Sequence, residues 1–273
     1  MSELINGKVL ARDVKENIRK NIIVNKLSLK LATIIVGNNS ASHLYVKMKS
    51  RACKEVGVEN EIFNFPPWAS EDVVLSKVSE LNDDDQVSGI LIQLPLPNNF
   101  NTRKILDSIN ESKDVDGLTS RNLGKLMASS DCFISATCKS IMFLLNTVKS
   151  DLRGLDVVII NHSPLIGRPL SQMLLDLGAT ITICHEFTRN LKEKIMVADV
   201  VISAVGKRNI ITADMVKEKS IVIDAGVEVI DGKVYGDVDF ERVKDKVLFI
   251  TPVPGGVGPM TIAMLLENII NKK

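Results

Sequence analysis

Short runs of Val and Ile that do not alternate with polar residues constrain this chain more than any other feature. Lys30–Val36, Gly89–Ile92, Asp156–Ile160, Ala179–Cys184, Asp199–Ser203 and Ser220–Asp224 are each four to seven residues long, and most are apolar almost throughout. A strand with one wet face alternates polar with apolar residues. A strand covered on both faces does not, so these runs read as parallel strands sandwiched by helices. Helical patterns lie between them at Ser42–Val56, Ser70–Leu81, Leu170–Leu177 and Thr212–Lys217. Strand–helix alternation predicts an α/β fold with parallel sheets. Aromatic residues make up only 4% of the chain, so aliphatic side chains must fill its cores.

The strands fall into two groups, separated by residues 118–152 with the polar segment Ala128–Cys132 and the apolar helix pattern Ser140–Val148. A length of 273 residues is also what about two domains require. The first domain is placed at residues 1–139, joined by 262–273 because the last helix, Thr261–Asn271, can pack back onto it. Residues 140–261 form the second.

A net charge of +1 gives no electrostatic reason to expect nucleic acid or an anionic membrane as partner. No apolar run approaches the roughly 20 residues that span a bilayer, and the first twenty residues have no secretory apolar region. Cys53, Cys132, Cys138 and Cys184 are scattered without a CxxC pair. They read as free thiols of a cytoplasmic protein, with no disulfide framework and no metal site.

Chemistry-bearing residues collect where strands end. Val157–Pro169 reads as strand, tight loop and helix start; Gly167 permits close helix approach, Pro169 suits a first turn, and the helix start offers backbone N–H groups to a pyrophosphate. The position of a usual first glycine holds Asn161, a residue that tolerates unusual backbone angles. About 20 residues on, Cys184, His185 and Glu186 end a second strand, where dinucleotide folds read the adenosine ribose. Glu186 there suits a ribose diol and repels a 2′-phosphate. Further strands end in Ser203–Gly206 and Asp224–Gly226, small residues that let a flat cofactor cross the sheet edge. Such endings also occur as plain tight turns.

In the first half, Tyr45 and Lys49 are four apart and share a helix face. Facing a cleft they can hold a substrate and move a proton, provided the lysine is desolvated; on an open surface they would be only a solvated pair. Gln93 follows a strand and precedes Pro95 and Pro97, which hold the chain extended. Lys113–Gly117 places Asp114 and Asp116 on a short loop, where one carboxylate can bind a guanidine-like ring edge at two points or serve only to cap a turn. Thr251–Thr261, with three prolines and three glycines in eleven residues, reads as neither helix nor strand. It is a ligand-wrapping loop before a helix, or a structural crossing.

Taken in order, these segments resemble the bifunctional methylenetetrahydrofolate dehydrogenase/cyclohydrolase family over essentially the whole chain. The resemblance rests on Ala41–Lys49, Gln93–Pro97, Lys113–Gly117, Ser163–Pro169, Gly236–Val238 and, most specifically, Thr251–Thr261. It implies two α/β domains, the first binding folate and the second a Rossmann-like NAD(P) domain, with a cleft between them, in a homodimer joined through the nucleotide domains. The activity implied is oxidation of methylenetetrahydrofolate followed by hydrolysis of the methenyl product to 10-formyltetrahydrofolate. Lys49 would be the catalytic lysine, Gln93 would orient it, Tyr45 would pack on the folate, Asp116 would bind the pterin, and Pro254, Gly255 and Gly256 would line the cleft. NADP would be held around Thr137, Asn161, His162, Ser163, Gly167, Arg168, Glu186, Val205, Gly206 and Val227.

The chain departs from the family pattern on the cofactor side. Asn161 and His162 stand where a glycine and often an arginine are usual, Glu186 where serine or arginine is common, and Glu228 where asparagine is usual. Residues 135–140 keep only Thr137 of the usual motif. Weakened NADP preference and improved NAD use are therefore expected. Two other readings exist. A short-chain dehydrogenase shares Tyr-x-x-x-Lys, but its glycine-rich loop precedes that pair, whereas here the nucleotide loop follows it. A folate-binding relative that keeps one activity or none would fit the cofactor-side departures.

Overall fold

The computed structural model describes residues 2–271. In chain order the elements are β1 (Glu3–Leu4), α1 (Gly7–Val24), β2 (Lys30–Val36), α2 (Ser40–Val56), β3 (Glu59–Phe65), α3 (Glu71–Asp83), β4 (Gly89–Ile92), α4 (Thr102–Asp107), α5 (Ser120–Met127) and α6 (Ala136–Val148). The second half continues with β5 (Asp156–Ile160), α7 (Gly167–Asp176), β6 (Thr180–Cys184), α8 (Leu191–Met196), β7 (Val200–Ser203), β8 (Ile221–Asp224), β9 (Glu228–Ile230), β10 (Lys233–Tyr235), α9 (Phe240–Val243), β11 (Phe249–Ile250) and α10 (Val257–Ile270).

The chain divides into two compact units, Met1–Ala11 with Thr137–Thr261, and Arg12–Ala136 with Ile262–Lys273. The second contains the three-stranded parallel sheet β3-β2-β4. Leu31, Ile34, Ile90 and Leu91 are fully buried there, as unalternated strands require. β3 is the edge strand, and its sequence ENEIFNF leaves most of its residues partly or fully exposed. The C-terminal helix does pack back onto this unit: Asn268 Nδ2 donates to the carbonyls of Val115 (2.8 Å) and Ile134 (2.9 Å).

The other unit is built on a six-stranded parallel sheet in the order β1-β11-β8-β7-β5-β6. From β5 the chain moves one way to β6 and then returns past β5 to β7. That reversal creates a crevice at the carboxyl ends of β5 and β7, the usual ligand position in a doubly wound sheet. The antiparallel hairpin β9-β10 is separate from this sheet.

Three expectations need correction. The first eleven residues go with the nucleotide-type unit, because β1 pairs with β11 and the Lys8 amide donates to Gly255 O at 2.9 Å. Thr212–Lys217 is turns rather than helix, closed by Met215 N to Thr212 O (3.0 Å). The Pro/Gly-rich stretch turns helical at Val257, inside its own span. Pro259 is tolerated there because a first-turn residue has no intrahelical N–H bond to lose.

Candidate active site

Asn39 caps α2 by accepting from the Ser42 amide at 2.9 Å, and Gly57 ends the helix in the left-handed conformation. The intervening turns set Tyr45, Lys49 and Cys53 on one face, four residues apart. Gln93 continues from β4, its amide held by Ile34 O at 2.8 Å. Its side chain reaches back to α2: Lys49 Nζ donates to Gln93 Oε1 at 3.1 Å, while Gln93 Nε2 donates to Leu94 O at 2.7 Å. One N–H of the glutamine is thus bonded to Leu94 and its carbonyl oxygen accepts from the lysine, which fixes the amide orientation. The chain then turns through the cis peptide Leu94–Pro95.

The Lys113–Gly117 loop is nailed down by its first two residues. Lys113 Nζ donates to the carbonyls of Leu81 (3.0 Å), Asn82 (2.8 Å) and Asp84 (2.7 Å) around the end of α3. Asp114, 1% exposed, accepts from Leu118 N (3.1 Å), Thr119 N (2.8 Å) and Asn122 Nδ2 (2.9 Å). Gly117 completes the turn at φ +65°, and a Cβ there would lie 2.7 Å from Phe133 O. These anchors leave Asp116, half-buried and accepting one backbone hydrogen bond from Ala136, as the carboxylate with acceptor capacity to spare for a ligand. Sequence reasoning singled out Asp116 but not the anchoring role of Lys113.

The electrostatics of this cluster are coupled. Burial lowers the Lys49 pKa, and the nearby Asp116 charge opposes that shift. Burial pushes Asp116 up to about 6, with Lys49 pulling down and Asp114 pushing up. Burial pushes the Cys53 thiol up to about 12, so it stays protonated beside the lysine. The Tyr45 phenol is raised by the same cause. The result is an amine with reduced proton affinity, fixed by an amide acceptor, near a carboxylate that ionises close to neutrality. Such a set can pass a proton and bind a planar N–H donor edge.

Pro254, Gly255 and Gly256 belong to the other unit, where Gly255 has φ +118° and Gly256 packs on Gly7. The remaining predicted residues also lie in that unit. After β5, Asn161 organises the loop by hydrogen bonding and not through unusual backbone angles, since its φ is not positive. Its Oδ1 accepts from Ser163 N (2.8 Å), Ser163 Oγ (2.8 Å) and Gly167 N (3.0 Å), and its Nδ2 donates to Ala204 O (2.6 Å) across the crevice. A Cβ on Gly167 would lie 2.0 Å from Asn161 O, so only glycine permits this approach.

This network corrects one expectation. The first-turn amides of α7 are not open to a pyrophosphate: Ile166 N is taken by Ser163 Oγ (3.2 Å), Gly167 N by Asn161 and Arg168 N by Ser163 O (3.1 Å). Pro169 has no N–H. The Arg168 guanidinium is tied to the same loop, its Nε donating to His162 O at 3.0 Å. Beyond β6, Glu186 meets the loop: its Oε2 is 3.8 Å from His162 Nδ1, and the rings of His162 and His185 are 5.1 Å apart. Val205 and Val227 stand exposed at the ends of β7 and β8, where a Cβ on Gly206 would come within 3.1 Å of Val227 O. Thr137 is partly exposed in the first turn of α6.

Comparison with known proteins matches both halves of the chain. Residues 5–116 match the model of the tetrahydrofolate dehydrogenase/cyclohydrolase catalytic domain, and residues 135–273 match its NAD(P)-binding domain. The bifunctional protein FolD of a Nitratiruptor species is 44% identical over 272 residues, covering 98% of this chain and 96% of the relative. The crystal structure of the bifunctional methylenetetrahydrofolate dehydrogenase/cyclohydrolase FolD from Campylobacter jejuni superposes with TM-score 0.96 at 43% identity, covering 100% of this chain and 98% of that one. The Trypanosoma brucei methylenetetrahydrofolate dehydrogenase-cyclohydrolase, complexed with NADP and an inhibitor, gives TM-score 0.95 at 28% identity, covering 99% and 97%.

Proposed function

Because this chain belongs to the tetrahydrofolate dehydrogenase/cyclohydrolase family, we propose that its two chemistries divide between the two clusters, hydrolysis at Lys49, Gln93 and Asp116 and dinucleotide binding at the loops after β5 to β8. The protein is an NAD(P)-dependent enzyme of one-carbon metabolism that oxidises methylenetetrahydrofolate and hydrolyses the methenyl product. The observation that carries the residue assignment is the Lys49 Nζ to Gln93 Oε1 bond at 3.1 Å beside the shifted carboxyl of Asp116. We place folate on the unit 12–136 with 262–273, NADP on 137–261, and the enzyme as a cytoplasmic homodimer joined through the nucleotide units. No described helix is long and apolar enough to cross a membrane.

Oxidation leaves a cation on the folate, so no strong acid is needed; when bound, the dinucleotide supplies the hydride acceptor. In hydrolysis a water oxygen bonds to the methenyl carbon and gives up a proton. The hydroxyl so formed gives up its second proton as the C=O forms and the carbon–N5 bond breaks; one of the two protons is released and N5 takes the other. Lys49, with its pKa lowered, accepts and returns that proton, and Gln93 keeps the amine aimed. Asp116 accepts two N–H bonds from the pterin edge, and Tyr45 packs on the ring.

The direct test is a dehydrogenase assay with NADP and with NAD, run beside methenyl hydrolysis; absence of both activities would reject the function. A pH dependence follows from Asp116. Its carboxyl is raised to about 6, so it is ionised above that value and protonated below it. Only the ionised form accepts both pterin N–H bonds. Affinity for a stable folate analogue should therefore be flat above pH 6 and fall by about tenfold per pH unit below it. Since Lys49 holds this pKa down, Lys49→Ala should move the limb to higher pH; a limb that Asp116→Asn leaves in place belongs to another group.

Cofactor choice carries a further expectation. Glu186 lies within reach of His162, and a 2′-phosphate between them would face a carboxylate at a cost of about 1 kcal/mol or more. We infer that NADP is bound, but with less preference over NAD than serine or arginine at position 186 would give. Glu186→Arg should raise the NADP/NAD ratio of kcat/KM by about tenfold or more. A parent enzyme already favouring NADP by a hundredfold at pH 8 would contradict this.

A further inference from the structure

Two buried carboxylates in the nucleotide unit take no part in the chemistry above, yet Asp237 accepts four hydrogen bonds and Asp224 three. Asp237 is 0% exposed and Asp224 3% exposed. Asp237 accepts from Ser203 Oγ (2.6 Å), Val205 N (2.7 Å), Gly206 N (2.9 Å) and Lys207 N (2.8 Å). A carboxylate has about four acceptor sites, and this one spends them all on a single loop. Three successive backbone N–H groups converging on one anion form a nest, an arrangement that elsewhere captures phosphate. Here the protein fills the nest with its own side chain.

Asp224 holds the neighbouring loop and Asp237 itself. Its Oδ1 accepts from Gly226 N (2.9 Å) and Asp237 N (3.1 Å), and its Oδ2 from Val238 N (2.9 Å). Two glycines make the clasp possible. A Cβ on Gly226 would stand 2.0 Å from Asp237 Oδ1, and one on Gly236 would stand 2.1 Å from Asp224 Oδ2. Each acid thus sits against the glycine beside the other. The residues so fixed, Ser203 to Lys207 and Asp224 to Val227, form the carboxyl edge on the β7–β8 side, away from β6. In a doubly wound sheet the adenosine is read near β6, so this side takes the other half of the dinucleotide. The exposed Val205 and Val227 are its apolar surface.

We propose that Asp237, braced by Asp224, is the positioning residue of the dinucleotide site, holding residues 203–207 in the conformation that presents Val205 and Val227 to the nicotinamide half. The role rests on the placement of the dinucleotide over these loops. Asn cannot replace the acid, because its NH2 group would face N–H donors where the carboxylate accepts.

The test measures NADPH binding by fluorescence in the parent, Asp237→Asn, Ser203→Ala and Val205→Trp, beside methenyl hydrolysis without dinucleotide and amide exchange at residues 205–207. Asp237→Asn should weaken NADPH binding by about 30-fold or more with hydrolysis within about twofold of the parent, because only one loop is released. Ser203→Ala, which removes one donor and leaves the acid, should weaken binding a few-fold and speed exchange at residues 205–207. If Asp237→Asn does not fold, Ser203→Ala decides alone. Parent-like binding in the Asp237 or Ser203 variants together with loss in Val205→Trp overturns the clasp and keeps the loop placement. Parent-like binding in all three overturns both, and equal loss of binding and hydrolysis marks a general structural role and also overturns it.

Discussion

Lys49→Ala is expected to abolish methenyltetrahydrofolate hydrolysis, lowering kcat by about a thousandfold or more while NADP binding stays unchanged. The size follows from the cluster. Among the described residues Lys49 is the cation that acts on Asp116 and bonds Gln93, and Gln93 has no proton affinity to substitute for it. Asp116 ionises near 6 and is engaged by the pterin in the proposed complex, so it cannot serve both roles. Removing the amine also removes the charge that opposes Asp116 protonation, which weakens folate binding near neutrality. Single-turnover measurements at saturating substrate separate the two effects. Lys49→Arg keeps the charge but not the lowered proton affinity, so it should restore binding and not hydrolysis. Hydrolysis at the parent rate in Lys49→Ala would remove this lysine from the mechanism.

Asp116→Ala is expected to weaken folate binding by about a hundredfold or more, because stripping a charged two-point hydrogen-bond acceptor from a buried site costs a few kcal/mol. The loop should survive the change. Its geometry depends on Lys113 bound to three carbonyls, on Asp114 bound to Leu118, Thr119 and Asn122, and on Asn268 bound to Val115 O. Asp114→Ala should behave differently, losing thermal stability together with folate affinity. NADPH affinity unchanged in Asp116→Ala identifies a ligand contact, whereas equal losses for both ligands would mean a folding defect.

The central strands were legible in the sequence because burial on both faces removes polar alternation, and Lys30–Val36, Gly89–Ile92 and Asp156–Ile160 fall where their apolar runs predict. β3 was not legible: ENEIFNF is an edge strand with exposed residues, and its apolar content resembles that of a surface segment. Thr212–Lys217 has helical spacing but forms turns, closed by Met215 N to Thr212 O at 3.0 Å. Among site residues, spacing alone could pair Tyr45 with Lys49, whereas the Lys49–Gln93 contact joins residues 44 positions apart and depends on the β2–β4 pairing. The role of Asn161 was legible only as a departure from glycine. Its three acceptor bonds become visible once the loop has folded around its side chain. Asp237 was marked only as part of the Gly236–Val238 segment; its role was not legible, because its four donors come from a loop about thirty residues earlier in the chain.

The chain passes between its two units three times, after residues 11, 136 and 261. During vectorial synthesis this imposes an order. The segment 12–136 emerges with its sheet already encoded, but the Lys113–Gly117 loop lacks its brace until Asn268 has been made. β1 emerges first of all and must wait for β11, some 245 residues later, to find its pairing partner. A nascent chain can therefore pair β2, β3 and β4 well before the Lys113–Gly117 loop has its brace. Neither unit can be cut out as one continuous fragment, and a dissected version would need its β1 segment or its α10 segment supplied by circular permutation.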